Sequence, residues 1–385
     1  MDRKVRAGSS PASGTSFSQH DETDRHNRYS RFTEMIFVAY DVTSLAENPH
    51  AGIARVCRHT LVEAAASGAV TPLALYRRGD PTNLDIEGVA ARHIGWFDRF
   101  APAQWDIVHA LGHRIPSVRK KRLVYSLHDV WSLYSNPYQS PEFQRRFGSR
   151  MRREIQRADV VVAVSQATKD KLLELGLVEP ARCVVVPNGV ARRDAVAGPD
   201  EAPPDHALVP RRFVLFVGRL EVRKNLEHVI DAVRPLGDLK LVLVGEHGYG
   251  GDKIESETLA KFPADRLVRF ERLPEAQLDW LYRHTLAVLL PSWEEGFGLP
   301  ILEAMIRGCP VITSNCSGSA EVGAGAALLV DPHEPTQSRH HLETLRDDPA
   351  FRGERVAESL VRAGQYSWAK SFELLLDVYR ALLEP

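Results

Sequence analysis

Short, nearly unbroken runs of Val, Ile, Leu and Ala recur along the chain. Between them, apolar residues return every third or fourth position. Ile36–Tyr40, Val70–Tyr76, Asp106–Ala110, Leu123–Leu127, Val160–Val164 and Cys183–Val186 are runs of strand length. They are continuous rather than alternating, the pattern of strands buried on both faces of a parallel sheet. Gly52–Ser67 places Ile53, Val56, Cys57, Leu61 and Ala64 on one face of a predicted helix, and Pro141–Arg157 and Gln166–Leu175 read as two more. A Pro-, Ala- and Asp-rich break, Ala195–Pro210, reads as a linker. The alternation then restarts, with strands at Phe213–Val217, Lys240–Val244, Leu267–Phe270, Leu286–Leu290, Val311–Thr313 and Ala327–Val330. Helices are predicted between them at Asn225–Val233, Glu275–Tyr282 and Pro300–Arg307. The tail Ser367–Leu383 reads as one amphipathic helix with Trp368, Phe372, Leu375, Leu376, Tyr379 and Leu382 on its apolar side.

Strands alternating with helices, twice over, predict an α/β protein of two Rossmann-like, doubly wound domains facing each other across a cleft, with ligand at the carboxyl ends of the strands. A length of 385 residues agrees with two domains. The expected divisions are a disordered tail at 1–34, with Met35 an alternative first residue, a first domain at 35–200, a second at 201–360, and a final helix at 361–385. Formal net charge is -1, so global charge does not point to nucleic acid. Cys57, Cys183, Cys309 and Cys316 are scattered without a CxxC pair, which fits a reduced, cytoplasmic protein better than a disulfide framework or a zinc site. No apolar run reaches the roughly 20 residues that span a bilayer.

Locally the charge is uneven. Residues 111–157 hold eleven Arg or Lys (Arg114, Arg119, Lys120, Lys121, Arg122, Arg145, Arg146, Arg150, Arg152, Arg153 and Arg157) against Asp129, Glu142 and Glu154. A solvated helix face accounts for part of this, and a surface meeting anionic lipid headgroups or a phosphorylated acceptor accounts for it better.

Candidate chemistry gathers after the strands. Phe213–Val217 runs into Gly218-Arg219-Leu220-Glu221-Val222-Arg223-Lys224-Asn225, which sets Arg219 and Lys224 five apart at a strand's carboxyl end. Two cations there would neutralise a departing diphosphate, or they form a plain basic loop. Leu286–Leu290 leads through Pro291 to Glu295-Gly296-Phe297-Gly298-Leu299-Pro300-Ile301-Leu302-Glu303, with bare backbone at the glycines and proline at a helix start. A helix entrance attracts phosphate, and two carboxylates beside it suit hydroxyl groups, so a nucleotide sugar matches the whole stretch. Simple helix electrostatics is the other reading. In the first domain, Leu123–Leu127 delivers His128-Asp129, where His128 would bond a sugar hydroxyl or a backbone carbonyl. Gly52 opens the first long helix and would admit a ligand to its N-terminus, or it is an ordinary loop glycine. No strand is followed by GxGxxG, which argues against a dehydrogenase.

With these spans assembled, the chain resembles the retaining glycosyltransferases of family 4, which have the two-domain GT-B fold. The spans are Val217-Gly218-Arg219-Leu220 with Lys224-Asn225, Leu243-Val244-Gly245, Pro291 through Ala304, and Ala326 through Pro332. The resemblance implies that Arg219 and Lys224 hold the donor diphosphate and that Glu303 binds the ribose hydroxyls. Glu295 would lie by the donor sugar, with Phe297, Gly298 and Leu299 lending backbone contacts. Gly52, Gly218 and Gly245 would match the family's glycine loops, and His128 its histidine beside the sugar. Catalysis would rest on Glu295, His128, Arg219 and Lys224, with neither cofactor nor metal. Asp41-Val42-Thr43 and Ala51-Gly52-Ile53-Ala54-Arg55 are similar to mannosyltransferases of O-antigen or exopolysaccharide assembly, which favours GDP-mannose as donor. The acceptor implied is a glycan, free or linked to polyprenyl diphosphate, met at the inner face of the plasma membrane. Ala51 and Ala320 depart from a usual glycine and proline, and Phe270-Glu271-Arg272-Leu273 lacks the usual glycine-aromatic pair near the nucleobase. A sugar-nucleotide epimerase of similar fold and a non-catalytic partner of a transferase are the alternatives.

Overall fold

Seven parallel strands make the first sheet, in the order β3-β2-β1-β4-β5-β6-β7. They are β1 (Ile36–Asp41), β2 (Val70–Tyr76), β3 (Ala90–His93), β4 (Ile107–Ala110), β5 (Arg122–Leu127), β6 (Val160–Ala163) and β7 (Cys183–Val185). Helices α1 (Thr43–Glu47), α2 (Gly52–Ala66), α3 (Pro141–Arg157) and α4 (Gln166–Glu174) connect them. This computed structural model describes residues 35–191 and 201–384, apart from 101, 103, 113, 120, 121 and 204–207. The tail at 1–34, most of the linker, Lys120 and Lys121 therefore lie outside the described residues.

The second sheet has six parallel strands in the order β10-β9-β8-β11-β12-β13. These are β8 (Phe213–Val217), β9 (Lys240–Val244), β10 (Leu267–Phe270), β11 (Ala287–Leu290), β12 (Val311–Ser314) and β13 (Leu328–Val330). Its helices are α5 (Leu226–Val233), α6 (Glu275–His284), α7 (Leu299–Ile306), α8 (Ser317–Gly323), α9 (Pro335–Asp347) and α10 (Pro349–Ala363). Strand order reverses between β1 and β4 and again between β8 and β11, and such switch points open a crevice at the strands' carboxyl ends.

The unbroken apolar runs are explained by burial on both faces. In the first sheet Val38, Tyr40, Val124 and Val162 join one apolar cluster, while their neighbours Ala39, Val108, Tyr125 and Val161 join another. The second sheet sits in one large cluster that includes Phe213, Leu215, Val242, Val288 and Ile312. Residues 36–385 form one unit.

The last helix, α11 (Trp368–Leu383), begins at Ser367, whose hydroxyl accepts the Lys370 N–H at 3.1 Å. It packs on the first sheet's helices, burying Phe372, Leu375, Leu376 and Tyr379 in the cluster with Val38 and Leu61. Burying side chains of this size is worth about 1.5–3 kcal/mol each. Tyr379 Oη also lies 2.6 Å from His109 Nδ1, and His109 Nε2 lies 2.8 Å from Ser126 Oγ, so both nitrogens of the buried His109 ring are partnered. The chain passes between the halves beside Gly189, where an added Cβ would lie 2.2 Å from the Trp368 backbone nitrogen.

Candidate active site

The loop after β8 is held from below. Val222–Lys224 forms one tight turn, closed by Asn225 in the left-handed conformation (φ 55°). Asn225 Nδ2 donates to the carbonyls of Pro291 (3.1 Å) and Pro332 (2.8 Å), and Trp293 N–H donates to the Arg223 carbonyl at 2.9 Å. The turn is thereby fixed to the loop after β11, across the switch point. A Cβ on Gly245 would sit 2.0 Å from the Gly218 carbonyl oxygen, so the close approach of the β8 and β9 ends needs glycine there.

This clamp delivers two cations to one carboxylate. Lys224 Nζ donates to Glu295 Oε1, Arg223 Nη1 reaches Oε2 at 2.8 Å, and Ser292 Oγ donates to Oε1 at 2.8 Å. Burial by itself raises the Glu295 carboxyl, but Arg223 and then Lys224 outweigh it and hold the group down at about 2. Glu295 is therefore a carboxylate throughout the physiological range. It cannot donate a proton, and it can stabilise positive charge.

The other residues named from sequence fall in different places. Glu303 lies on α7, where Arg55 Nη1 of α2 donates to Oε1 and Tyr282 Oη donates to Oε2 at 3.1 Å. Gly52 begins α2 in open space, so packing does not require a glycine there. His128 Nε2 lies 2.7 Å from the Leu111 carbonyl. A carbonyl only accepts, so Nε2 carries the proton, and burial lowers the imidazole's pKa and keeps it neutral. Of a sugar hydroxyl and a backbone carbonyl, the two partners expected for His128, the structure shows the carbonyl. Phe297 turns its ring into the second core, 5.9 Å from Tyr366, and leaves only its backbone to the loop. Gly298 caps α7 at φ 105°, and Leu299 starts the helix. Arg219 stands apart: its side chain is 63% exposed against 11% for Lys224, and it faces Glu221 and the His247 carbonyl.

The two halves meet at this loop. A Cβ on Gly296 would lie 1.7 Å from the His128 carbonyl oxygen, so backbone lies on backbone. Ser165 Oγ (2.6 Å) and Thr168 Oγ1 (3.1 Å) donate to the Gly296 carbonyl, and Tyr134 Oη donates to Glu294. Glu321 of α8 receives the Gln166 and Ala167 N–H groups at 3.0 Å each, satisfying the open end of α4. The Arg223 guanidinium lies 5.5 Å from the centre of the Trp131 ring. Sequence reasoning gave no role to Arg55, Asp129, Arg223, Glu294 or Glu321. Arg223 stood beside Lys224 in the same turn, and that adjacency was the available signal.

Two doubly wound units whose carboxyl-end loops meet at Gly296 and His128, with a charge cluster at that contact, have the architecture of the GT-B class of nucleotide-sugar enzymes. Solved structures agree on the fold. Anabaena HepE, crystallised with UDP and glucose, superposes with a TM-score of 0.70 at 17% identity, over 90% of this chain and 100% of that one. Sucrose-phosphate synthase of Thermosynechococcus elongatus gives 0.69 at 20% identity, over 91% and 99%. Residues 200–367 match the family "Glycosyl transferases group 1" and residues 54–193 match "Glycosyltransferase Family 4". A D-inositol 3-phosphate glycosyltransferase of Catenulispora acidiphila is 30% identical over 336 residues, 80% of each chain. The O-antigen chain mannosyltransferase B of Escherichia coli is 28% identical over 288 residues, 72% of this chain and 74% of that one.

The chain belongs to glycosyltransferase family 4, a retaining family that typically works without a metal. It transfers a sugar from a nucleotide sugar, and the epimerase and binding-partner readings fall away. Among the described residues, no helix is long and apolar enough to cross a membrane.

Proposed function

We propose that the chain moves mannose from GDP-mannose onto a surface glycan carried on a polyprenyl diphosphate, with Lys224, Glu295 and Glu303 lining the donor site. The observation that carries the donor site is the clamp of Arg223 and Lys224 on Glu295 at the second sheet's switch point. The likeness to O-antigen chain mannosyltransferase B supports mannose and a polysaccharide acceptor.

Lys224 exchanges Glu295 for the donor diphosphate, where it meets the charge that grows as the C1–O bond breaks. Arg219, exposed at the crevice rim, reaches the same diphosphate once it lets go of Glu221. Glu295, always ionised, stands by the reacting carbon and steadies its positive charge. Glu303 gives up Arg55 and accepts the ribose hydroxyls, while Phe297, Gly298 and Leu299 offer backbone. The acceptor oxygen adds to the face the diphosphate leaves, and its proton passes to the departing phosphate oxygen. His128, neutral, lends hydrogen bonding rather than charge.

The exposed Arg145, Arg146 and Arg153 of α3 point to an anionic membrane surface as the place where a lipid-linked acceptor is met. Flotation with liposomes tests this, with binding expected only when anionic lipid is present. For the reaction, radiolabelled GDP-mannose is incubated with a polyprenyl-diphosphate-linked glycan. Transfer with the α-configuration kept is expected, whereas transfer from UDP-glucose alone would overturn the mannose assignment.

A further inference from the structure

Glu221, Glu294, Glu295 and Asp129 crowd together where the halves meet: Arg223 and Lys224 pair with Glu295, Arg219 stands 3.7 Å from Glu221, Lys171 acts on Glu294, and Arg223 is the cation that acts on Asp129. Like charges at close quarters disfavour ionisation of the least well paired carboxyl. Glu295 is kept charged by its two cations, and Glu294 takes the Tyr134 hydroxyl. Asp129 is left over. Its Oδ1 is closed to solvent and has no hydrogen-bond partner, and neither does the buried Nε of Arg223.

The position of Asp129 is forced. The His128 carbonyl oxygen and the Asp129 Cα abut Gly296, so close that a Cβ there would lie 1.7 and 3.1 Å from them. Asp129 is thus wedged against the Glu295–Gly296 turn. Facing it are Glu221 and Arg223 from the loop after β8, and Glu294 and Glu295 from the loop after β11. From its own half, Tyr125 and Tyr134 face it.

We propose that Asp129 is a positioning residue of the donor site, taking up a proton when the diphosphate of a nucleotide sugar enters and so leaving Arg223 free to meet the new negative charge. The proposal rests on the donor site lying at Lys224 and Glu295. Burial above all, against the pull of Arg223 and with the push of Glu294 and Glu295, already raises the Asp129 carboxyl to about 7. A diphosphate nearby raises it further, and by linkage binding then draws in a proton.

Calorimetric titration of GDP-mannose at pH 7, in phosphate and in Tris, reads the proton directly. The diphosphate of a nucleotide sugar does not titrate near neutrality, so any proton belongs to the protein. Uptake of about half a proton is expected for the natural chain and for Asp129→Glu, and none for Asp129→Asn. Affinity should fall between pH 6.5 and 8.5 in the natural chain and stay level in Asp129→Asn. Equal proton uptake in Asp129→Asn would overturn the proposal, as would its loss in Glu294→Gln with Asp129→Asn unaffected. UDP-glucose replaces GDP-mannose if the latter gives no binding heat, which separates a wrong donor from a wrong role for Asp129.

Stability gives a second reading. A carboxyl held at about 7 in the folded chain, against an ordinary 3.8, costs stability progressively as pH rises through that window. Asp129→Asn should therefore melt higher than the natural chain at pH 8, and by a smaller margin at pH 5. Equal melting at both would count against a strained Asp129.

Discussion

In the second half, the loops after β8 and β11 hold one another, and Arg223, Lys224 and Glu295 pair with one another within that half, with Trp131 of the first half beside Arg223. In the first half, the loop after β5 and the start of α4 bring mostly neutral groups: the His128 carbonyl, Ser165, Thr168 and Tyr134. Its charged groups Arg55, Asp129 and Lys171 all act on groups of the other half. One half thus carries a finished charge cluster, and the other closes over it. A reaction that separates charge needs the cluster rigid and the lid well fitted, because misplacement of the order of 1 Å can cost about a hundredfold in rate.

The sharpest way to break this division is Gly296→Ala. The added Cβ would collide with the His128 backbone and part the halves while leaving the second-half cluster intact. Turnover should fall about a hundredfold, measured by product formation, with circular dichroism showing the fold kept. Lys224→Ala attacks the cluster itself and leaves the closure alone. On the role proposed for it at the departing diphosphate, it should lower kcat about a hundredfold with a smaller change in KM. Unchanged turnover would make Lys224 a structural partner of Glu295 only. Arg55→Ala is the mildest and has the opposite sign. Arg55 is 44% exposed, so its pairing with Glu303 is screened and worth at most about 1 kcal/mol. Donor affinity should rise slightly, up to about fivefold, since Glu303 no longer has to leave a partner.

The second half was also the easier half to read from sequence. Its candidate site residues come after strands, so the strand-glycine-helix order at Gly218 and the Glu295–Glu303 spacing pointed to the loops after β8 and β11 directly. The strand ends lay within a residue or two of the runs of Val, Ile and Leu, because burial on both faces leaves no polar residue to blur them. Elements without that burial escaped. β3, with the sequence Ala90-Ala91-Arg92-His93, is a largely exposed edge strand, and α9 and α10 are rich in His, Arg and Glu. In the site, Arg219 attracted notice by its spacing from Lys224, yet Arg223 is the residue that reaches Glu295. Three neighbours in one tight turn point in different directions, and only the clamp by Asn225 decides which face the carboxylate. Asp129 and Glu321 were less legible still, since their partners lie about 95 to 165 positions away in the other half, a separation on the scale of a whole domain.

The central claim is that the crevice between β8 and β11 is the nucleotide-sugar site. Calorimetric binding of GDP-mannose to the natural chain and to Glu303→Ala tests it most directly. Loss of charge-assisted bonds to the ribose, each worth about 1.5–3 kcal/mol, should weaken binding tenfold or more. Equal affinity in the two proteins would contradict the account and move the ribose away from Glu303.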